Sequence, residues 1–415
     1  MKILHVNTHS VGGAFNGAYR LHKALLKKGV QSKMIVRELA GDHLFEQVYL
    51  YDDKFRNINV LNRLQTKIGY PQTSAQKRWN YTNGLLGEFE IISFPFSDYD
   101  ISLSKEYQEA DIVHFHWVGD YLDYKTFFEK NTKSVVWTLR DSFPFLGIFH
   151  LVNDLKRNNE KWKNLDNKMI HYKKRCIDKA KSNIEIVGLS NDIKNKSKQS
   201  LLFQNLKHHV IHNCIDLKEF EMLDKRKARS KLNIDNEKIV FCFVATSITR
   251  FNKGLNELME AINLVPKENI EFISVGDGNF KSLHYSIRYR HLGKLKSDEL
   301  KIVYSASDAL IFPTKEEALG NVVLEAMACG TPVIGTPVGG LTDVIRDGFN
   351  GIFTKGVTVT DIKNAILHFI EIRKEFDRNA IRSYIEKKFS EEKIAKEYLD
   401  VYSKLLSRTS EGVVT

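Results

Sequence analysis

The sequence has few of the features that mark secreted, disulfide-stabilised or membrane-spanning proteins. Its 415 residues include only four cysteines, which are scattered and form no C-x-x-C pair, so neither a disulfide framework nor a zinc site is indicated. No apolar run approaches the roughly 18 residues of a membrane span. The chain also turns polar by Asn7, too early for a signal peptide. We therefore expect a cytoplasmic protein whose cysteines are core residues.

The size and composition of the chain are those of a two-domain globular protein. At 415 residues it is about twice or more the usual domain of roughly 100 to 200 residues. Hydrophobic residues make up 42% and charged residues 27% of the chain, which argues against extensive disorder. We expect two folded domains with separate cores.

Strand-like and helix-like patterns alternate in two regions, as they do in parallel sheets covered by helices. The first region is predicted to contain strands at Lys2–Val6, Ser32–Val36, Asp111–Phe115, Ser134–Leu139 and Ile184–Leu189, with a helix at Gly17–Lys28. The second is predicted to contain strands at Ile239–Ala245, Ile270–Val275, Ala309–Pro313 and Pro332–Gly335, with helices at Gly254–Leu264 and Asn321–Ala328. The fold class is therefore α/β.

A change of composition predicts the domain boundary. Val210–Phe220 and the charged stretch Glu221–Lys238 after it have the character of an inter-domain connection. We assign residues 1–218 to the first domain and residues 219–388 to the second. The tail, residues 389–415, is amphipathic, so it is expected to pack against another part of the protein.

Basic residues are concentrated in one segment of the chain. The formal net charge is +11, and Lys156–Lys181 alone has ten Lys or Arg against three acids, which gives +7 (10 − 3). A solvated helix face is the ordinary explanation of such a run, but Trp162 and Tyr172 within it favour docking to an anionic membrane surface. Nucleic acid is not an expected partner, because the sequence has no helix-turn-helix, zinc-finger or RNA-binding signature.

The strongest chemical signal is the run of residues 313–340. Its predicted strand ends at Pro313 and its helix begins near Gly320, so Glu317 lies in a strand-to-helix loop at the carboxyl edge of a parallel sheet. The free N–H groups and positive dipole of a helix start suit a diphosphate. Carboxylates such as Glu317 and Glu325 suit the vicinal hydroxyls of a ribose or hexose. Taken alone, the two acids are better explained as a loop residue, Glu317, and an acid favoured near a helix start, Glu325.

This run resembles the donor-site signature of glycosyltransferase family 4, which is an acid, seven residues, and a second acid followed by Ala-Met-Ala-x-Gly-x-Pro-Val-Ile. Here the signature extends from Glu317 through Glu325 to Ile334. The resemblance implies that Glu317 contacts the transferred sugar and Glu325 the donor ribose. It also implies that amides of the loop between them touch phosphate and sugar oxygens; these residues are Ala318, Leu319, Gly320, Asn321 and Val322.

Other segments resemble the same family over nearly the whole chain. Gly12-Gly13, after the first strand, looks like the loop in which glycine lets the backbone approach the donor diphosphate. Gly276 lies in the family's strand-end turn. Leu292–Leu295 matches the strand that borders the nucleobase.

Lys253, at a predicted helix start, looks like the cation of the family's phosphate-binding loop, which neutralises the leaving diphosphate. The family has an Arg five or six residues before this Lys, and here those positions hold Ile248 and Ser247. Either Arg250 replaces the missing Arg, or Lys253 acts with fewer cationic partners.

Three candidates for the acceptor side follow two predicted strands of the first region. Trp-Thr-Leu-Arg140-Asp141 resembles a bacterial surface-polysaccharide branch of the family in which the tripeptide is followed by His-Asp. The family's His contacts the donor sugar, whereas Arg140 cannot act as a base but can hold an anionic group. Asp141 is a candidate for orienting Arg140 or the acceptor. His116 is a candidate to take the place of the family's His near the acceptor, although a lone His at a strand end is more often structural.

No metal or cofactor is expected. Asp98-Tyr-Asp100 has the spacing used by metal-dependent glycosyltransferases of another fold, but it lies outside any predicted strand end and is interpreted as a loop. Cations and helix dipoles are expected to stabilise the diphosphate instead. The co-substrate implied by the resemblance is a nucleotide-diphosphate sugar, with a UDP-sugar as the first candidate.

The resemblance implies a GT-B fold, in which two Rossmann-like doubly wound domains face each other across a cleft and the last helix crosses back to the first domain. It assigns the acceptor to the N-terminal domain and the donor to the C-terminal domain. The implied activity is that of a retaining, metal-independent hexosyltransferase, peripheral at the inner face of the membrane, that builds bacterial surface polysaccharide on a glycan or lipid-linked glycan.

Two alternatives of the same fold remain open. A sugar-nucleotide epimerase would bind the same donor without an acceptor, and a non-catalytic protein would bind the nucleotide sugar without turnover. A nicotinamide-dependent oxidoreductase is not favoured, because Gly12-Gly13-x-x-x-Gly17 does not match G-x-G-x-x-G.

Overall fold

A computed structural model describes residues 1–40, 45–52, 73–265, 269–278 and 288–411. The chain divides into two compact units: Met1–Ile211 together with Ala395–Thr415, and His212–Ile394. The prediction put the first boundary at residue 218 and the start of the tail at residue 389. Residues 412–415 of that tail lie outside the described residues.

The described part of the first unit is built on a parallel sheet. Its strands are β1 (Lys2–His9), β2 (Gln31–Glu38), β3 (Val48–Leu50), β4 (Ile112–Phe115), β5 (Ser134–Leu139), β6 (Ile184–Gly188) and β7 (Lys207–Val210). Their order is β3-β2-β1-β4-β5-β6-β7. Strands β4 and β5 are buried along their whole length. Such burial is typical of the central strands of a parallel sheet, which helices cover on both faces.

Helices connect these strands. Those described in the first stretch of the chain are α1 (Gly12–Lys27), α2 (Ser74–Thr82), α3 (Lys105–Glu109), α4 (Tyr124–Lys130), α5 (Val152–Arg157), α6 (Glu160–Ile177) and α7 (Asn191–Lys198). The long helix α6 is capped by Asn159, whose side chain accepts hydrogen bonds from the amides of Lys161 and Trp162.

The second unit contains a second parallel sheet in its described residues. Its strands are β8 (Ile239–Ser247), β9 (Ile270–Asp277), β10 (Arg288–His291), β11 (Ala309–Phe312), β12 (Val333–Gly335) and β13 (Gly351–Phe353). Their order is β10-β9-β8-β11-β12-β13. The core between the sheet and its helices includes Phe241, Phe272, Leu258 and Phe369.

Helices also cover the second sheet, and the last helix of the chain follows them. They are α8 (Lys225–Lys231), α9 (Leu255–Asn263), α10 (Ser297–Ala306), α11 (Asn321–Ala328), α12 (Leu341–Val344), α13 (Val359–Ile372), α14 (Arg378–Phe389) and α15 (Glu391–Glu411). From Ala395 onward α15 belongs to the first unit. None of the described helices combines the length and apolar character needed to cross a membrane.

The predicted α/β class is confirmed, and the apolar strands lie close to their predicted bounds. Three strands were not predicted, β3, β7 and β13, and β10 was expected a few residues later in the chain. Each lies at the edge of its sheet, and β7 (KHHV) and β10 (RYRH) are too polar to be recognised by an apolar pattern. The strand expected at Leu292–Leu295 is instead β10, which ends at His291.

Buried acids explain how two polar edge strands join their sheets. Glu185 of β6 lies 3.2 Å from Lys207 Nζ and 2.6 Å from His209 Nε2 of β7. Glu271 of β9 lies 3.2 Å from Arg290 Nη1 of β10. Each edge strand therefore supplies the cation that a buried carboxylate needs, and the pairing becomes visible only once the strands are adjacent.

Candidate functional site

In the second unit, the loops that follow β8 and β11 are joined by hydrogen bonds. The Lys315 amide and the Thr314 hydroxyl both donate to the Asn252 carbonyl oxygen, at 2.7 and 3.0 Å. Gly254 has φ +70°, and a Cβ on it would lie 2.2 Å from the Pro313 carbonyl oxygen. Glycine is needed here both for the backbone conformation and for the close approach of the loops.

These joined loops bring together the predicted cation and the predicted sugar-contacting acid. Lys253 Nζ lies 2.7 Å from Glu317 Oε2, and each side chain is 19% exposed. The ammonium group also lies 5.4 Å from the centre of the Phe312 ring. The pair is partly shielded from water but accessible, so an anionic ligand can approach the lysine and a hydroxyl can approach the carboxylate.

The loop after Glu317 leads into the start of α11. Gly320 precedes the helix with φ +87° and, as a glycine, has no side chain to cap it. The Val323 amide donates to the Gly320 carbonyl oxygen at 3.0 Å. The dipole at this end of the helix favours negative charge. Asn321, the first residue of the helix, accepts a hydrogen bond from Asn213 Nδ2 at 2.7 Å.

A pair of glycines before α12 supports this loop from behind. The Gly340 amide donates to the Glu317 carbonyl oxygen at 3.2 Å. A Cβ on Gly340 would lie 2.4 Å from the Ala318 carbonyl oxygen, and one on Gly339 would lie 1.8 Å from that of Glu317. This role of the pair was not predicted, although two adjacent glycines shortly after a strand are a visible signal in the sequence.

Glu325 lies in the second turn of α11 and is only 5% exposed. The Tyr304 hydroxyl, from α10, donates to Glu325 Oε2 at 3.2 Å. Burial, and then the neighbouring carboxylate, raise the pKa of Tyr304 well above its ordinary value, so the phenol stays protonated and remains a donor. The sequence gave no sign of this partner.

Arg250 and Gly276 occupy the same edge of the second sheet but differ in surroundings. Arg250 is exposed and directly precedes the short 3-10 helix Phe251–Lys253. Gly276 is the next-to-last residue of β9 and has φ +143°, and a Cβ there would lie 1.9 Å from the Ala245 carbonyl oxygen. The glycine therefore permits close packing of β9 against β8.

In the first unit, Gly12 and Gly13 open α1 directly after β1. Gly12 has φ +90°, and a Cβ on it would meet no described atom within 4 Å. Glycine at this position serves the backbone conformation rather than a close contact. The space beside it is open in the described structure.

His116 and Arg140 follow adjacent strands and lie side by side, both buried. Arg140 Nη2 donates to His116 Nδ1 at 3.0 Å, and His116 Nε2 lies 2.8 Å from His5 Nδ1. Because His116 Nδ1 must accept from the guanidinium, its Nε2 carries the proton and donates to His5. His116 therefore holds Arg140, and its own ring is closed off from solvent.

Burial keeps these histidines neutral. It is the largest cause that lowers the pKa of His5, His114 and His116 well below 6.5, and the nearby positive charge of Arg140 lowers all three further. Ring nitrogens of the three lie within 4.8 Å of one another, a spacing that a metal site requires. A cation would, however, be bound beside the Arg140 guanidinium, which disfavours a metal at this position.

Asp141 is engaged by other groups. Its Oδ2 accepts from Trp117 Nε1 at 2.6 Å and lies 2.6 Å from His150 Nδ1, and its Oδ1 accepts from the Phe143 amide at 3.0 Å. His150 Nε2 in turn lies 2.9 Å from the Ser93 hydroxyl. These contacts fix the backbone and rings that follow Arg140.

The two acids with metal-site spacing have local partners. Asp98 accepts hydrogen bonds from the amide and hydroxyl of Ser74, at 3.1 and 2.8 Å. Asp100 is buried, lies 2.6 Å from Lys130 Nζ, and caps the short 3-10 helix Ile101–Leu103. Their carboxylates support local structure.

Comparison with protein families and curated proteins places the second unit among known sequences. Residues 224–388 match the family model described as glycosyl transferases group 1. An uncharacterised glycosyltransferase of Methanocaldococcus jannaschii is 30% identical over 209 residues, which are 46% of this chain and 53% of that relative. The N-acetyl-alpha-D-glucosaminyl L-malate synthase of Bacillus anthracis is 27% identical over 242 residues, or 55% of this chain. The matches span 53% and 62% of these two relatives' own lengths.

A solved structure resembles the chain over nearly its whole length. The structure of Anabaena HepE in complex with UDP-glucose aligns with a TM-score of 0.68, covering 97% of this chain and 100% of HepE at 17% identity. At that identity the likeness establishes the fold alone. It confirms the predicted GT-B fold class.

Proposed function

Because residues 224–388 belong to the glycosyl transferases group 1 family, we propose that this chain transfers a hexose-type sugar from a nucleotide-diphosphate sugar to a glycan or lipid-linked glycan. The observation that carries the proposal is the contact of Lys253 with Glu317 beside the uncapped start of α11. It joins a cation, a carboxylate and the positive end of a helix in one accessible cluster. Those are the groups that a sugar diphosphate requires.

Each donor-site residue has a role that its surroundings support. Lys253 exchanges the Glu317 carboxylate for the donor diphosphate, with Arg250 as a second cation and amides of residues 318–322 as hydrogen-bond donors. Glu317, released from the lysine, accepts from hydroxyls of the sugar. Glu325, oriented by Tyr304, accepts from the ribose. UDP is the nucleotide we propose first, since HepE was solved with UDP-glucose.

The chemistry proposed is transfer with retention at the anomeric carbon and without a metal ion. The bond between the anomeric carbon and the diphosphate oxygen breaks, and the acceptor oxygen forms a bond on the same face. The acceptor proton passes to the departing diphosphate, whose charge Lys253 and the α11 amides neutralise. No protein nucleophile is needed for this sequence of bonds.

On the acceptor side we assign the anion-binding role to Arg140 and a positioning role to His116. His116 holds the guanidinium by one hydrogen bond of 3.0 Å. Asp141 fixes the following turn through Trp117 and His150. A cytoplasmic location, a bacterial surface polysaccharide as product, and work at the inner face of the membrane remain parts of this proposal.

Two neighbouring lysines give a matched test of the donor site. Lys253→Met should weaken UDP binding by about tenfold to a hundredfold, because it removes a charge-assisted contact to phosphate. Lys315→Met is the control, since Lys315 Nζ is paired with Glu257 at 2.7 Å and should leave affinity within a few-fold. Calorimetric titration with UDP measures both, and equal losses would contradict the assignment.

A turnover assay then distinguishes sugar transfer from epimerisation and from binding without reaction. Glu317→Gln should abolish most turnover while UDP binding is kept or strengthened, because Lys253 loses its internal partner. The assay incubates the protein with labelled nucleotide sugars and a membrane extract. Label in glycan or lipid supports transfer, isomerised free donor identifies an epimerase, and binding without turnover identifies a binding protein.

A further inference from the structure

The strand order of the first sheet predicts a ligand site at the carboxyl ends of β1 and β4. In the order β3-β2-β1-β4-β5-β6-β7, the chain runs outward from β1 in one direction, then returns beside β1 and continues in the other. Open parallel sheets bind ligands in the crevice at such a reversal point. The space beside Gly12, shortly after β1, is open among the described residues.

A hydrogen-bonded imidazole and carboxylate lie at this edge of the sheet. His9 and Glu38 are the last residues of β1 and β2 and are paired across the two strands. His9 Nδ1 lies 2.9 Å from Glu38 Oε2, and the two side chains are 35% and 55% exposed. His116 and Arg140, which follow β4 and β5, are buried. A ligand in the crevice therefore reaches the His9–Glu38 pair more easily than it reaches those two residues.

Hydrogen bonding determines which atoms of the pair are open to a ligand. Arg37 donates from Nε and Nη2 to Glu38 Oε1 and from Nη1 to the Asp120 carbonyl oxygen. Since a carboxylate only accepts, His9 Nδ1 carries the proton, and the neutral ring keeps Nε2 as an acceptor. Among the described residues, Nε2 has no hydrogen-bond partner and Glu38 Oε2 has no donor other than His9. The pair therefore offers two neighbouring acceptors whose orientation is already fixed.

Exposed apolar side chains lie on the segments that follow the pair. Val11 is 55% exposed and Leu39 is 42% exposed. Ser10 joins the two segments, because its amide donates to the Glu38 carbonyl oxygen at 3.0 Å and its hydroxyl accepts from the Ala40 amide at 2.8 Å. Apolar surface beside a few polar groups is typical of a binding groove, and it suits the C–H face of a sugar ring.

We infer that His9 Nε2 and Glu38 Oε2 bind two hydroxyl groups of an uncharged sugar unit of the acceptor. Hydroxyls supply the donors that both atoms require, and those to the carboxylate are of the stronger, charge-assisted kind. A phosphate or carboxylate would bring only further acceptors and would be repelled by Glu38. The anionic group assigned to Arg140 is then another part of the same acceptor. The inference rests on the proposed function for the nature of its occupant, a glycan.

The position of Glu38 in the fold supports a diol as the ligand. In dinucleotide-binding folds with this kind of strand order, an acid about 20 residues after the glycine loop accepts from a ribose hydroxyl. Glu38 lies 25 residues (38 − 13) after Gly13. This chain lacks the glycine pattern of those folds, so the diol is assigned to a sugar rather than to a dinucleotide.

Saturation-transfer NMR on the full chain tests the subsite without requiring turnover. The probes are the methyl glycosides of glucose, galactose and mannose, each added with saturating UDP. Their signals should persist in Glu317→Gln, which removes the proposed sugar contact of the donor loop. They should fall several-fold in His9→Phe and in Glu38→Gln. Phenylalanine keeps a ring beside Trp117, whose ring centre lies 5.3 Å from that of His9, and lacks both nitrogens.

A second histidine–glutamate pair gives a matched control. His368 Nδ1 lies 3.9 Å from Glu371 Oε2 on α13, in the second unit, and the side chains are 58% and 76% exposed. His368→Phe and Glu371→Gln make the same chemical changes and should leave the glycoside signals unchanged. All four variants should melt within a few degrees of the parent.

Transfer kinetics give a readout that a purely structural role would not change. In the assay with labelled nucleotide sugars and membrane extract, His9→Phe and Glu38→Gln should each raise the acceptor KM by about fivefold to tenfold. The kcat should stay within a few-fold, because the lost contact binds the substrate and the transition state alike. The affinity for UDP should not change.

Three results would overturn the inference: no saturation transfer to any glycoside in the parent, equal signals in the parent and the two subsite variants, or a loss of UDP affinity that matches the loss of sugar signal. Glycoside binding that depends on His9 and Glu38, without UDP binding or transfer, would uphold the subsite and contradict the proposed function. The two failures can therefore be told apart.

Discussion

Glycine at the candidate site leaves room for a neighbouring loop that a side chain would displace. The loop carrying Glu317 packs so closely on Gly340 that a single added methyl group would lie 2.5 Å from Leu319 Cα. Gly340 itself has φ −71°, a conformation open to any residue. The constraint at this position is therefore steric contact with the loop rather than backbone strain.

We expect Gly340→Ala to displace the loop of residues 317–320 and weaken UDP binding by tenfold or more. Overpacking of this kind costs about 1 to 3 kcal/mol. Calorimetric titration with UDP measures the loss. Gly348→Ala is the control: its φ is +75° with nothing within 4 Å, so it should lower stability but keep the affinity. An unchanged affinity of the Gly340 variant would show that the loop tolerates the methyl group.

At the scale of elements, the last helix is joined to the first sheet by buried hydroxyl groups. The Tyr402 hydroxyl lies 2.7 Å from His114 Nδ1, and His114 Nε2 lies 2.8 Å from the Thr138 hydroxyl. Thr138 in turn lies 2.9 Å from the Tyr398 hydroxyl. Strands β4 and β5 and helix α15 thus share one buried polar chain within the first unit.

We expect Tyr402→Phe to reduce the free energy of unfolding by about 1 to 3 kcal/mol, because His114 Nδ1 loses its partner inside the core. Urea denaturation measures the change. Tyr384→Phe is the control, since Tyr384 is only partly buried and packs mainly through its ring, against Phe349 and Phe389. Equal stabilities of the two variants would contradict a structural role for the chain of hydroxyls.

At the scale of the whole molecule, four buried histidines couple stability to pH. Burial lowers the pKa of His22 to about 4, and it lowers those of His5, His114 and His116 well below 6.5. Below pH 6.5 the unfolded chain binds protons that the folded chain excludes. The contribution of these neutral histidines to the free energy of unfolding is therefore fully present above pH 6.5 and is lost as the pH falls.

We expect the free energy of unfolding to fall by about 1.4 kcal/mol per pH unit for each of these histidines below 6.5. Urea denaturation at a series of pH values gives the slope. In His22→Gln, the change of the unfolding free energy with pH should become smaller by the contribution of one histidine, about 1.4 kcal/mol per pH unit. A slope that is flat below 6.5, or that the substitution leaves unchanged, would contradict neutral burial.

The sequence by itself determined the α/β class, the central strands and the contiguous run from Glu317 to Ile334. These features are local: apolar periodicity is set by neighbours along the chain, and α11 begins and ends at its predicted residues, Asn321 and Ala328. The edge strands were not predictable in the same way. Their polar side chains, such as Arg290, are favourable in a strand only after Glu271 is buried next to them.

Tertiary structure alone decided which distant groups meet. Lys253 and Glu317 are 64 residues apart in the chain and 2.7 Å apart in space, because two loops are joined through one carbonyl oxygen. It also decided which face of α6 is covered. Trp162, one of the two aromatic residues of the basic segment, is buried, and Leu86 from an earlier segment is exposed. Burial depends on what packs against a residue, and that partner is not encoded in the residue's own neighbourhood.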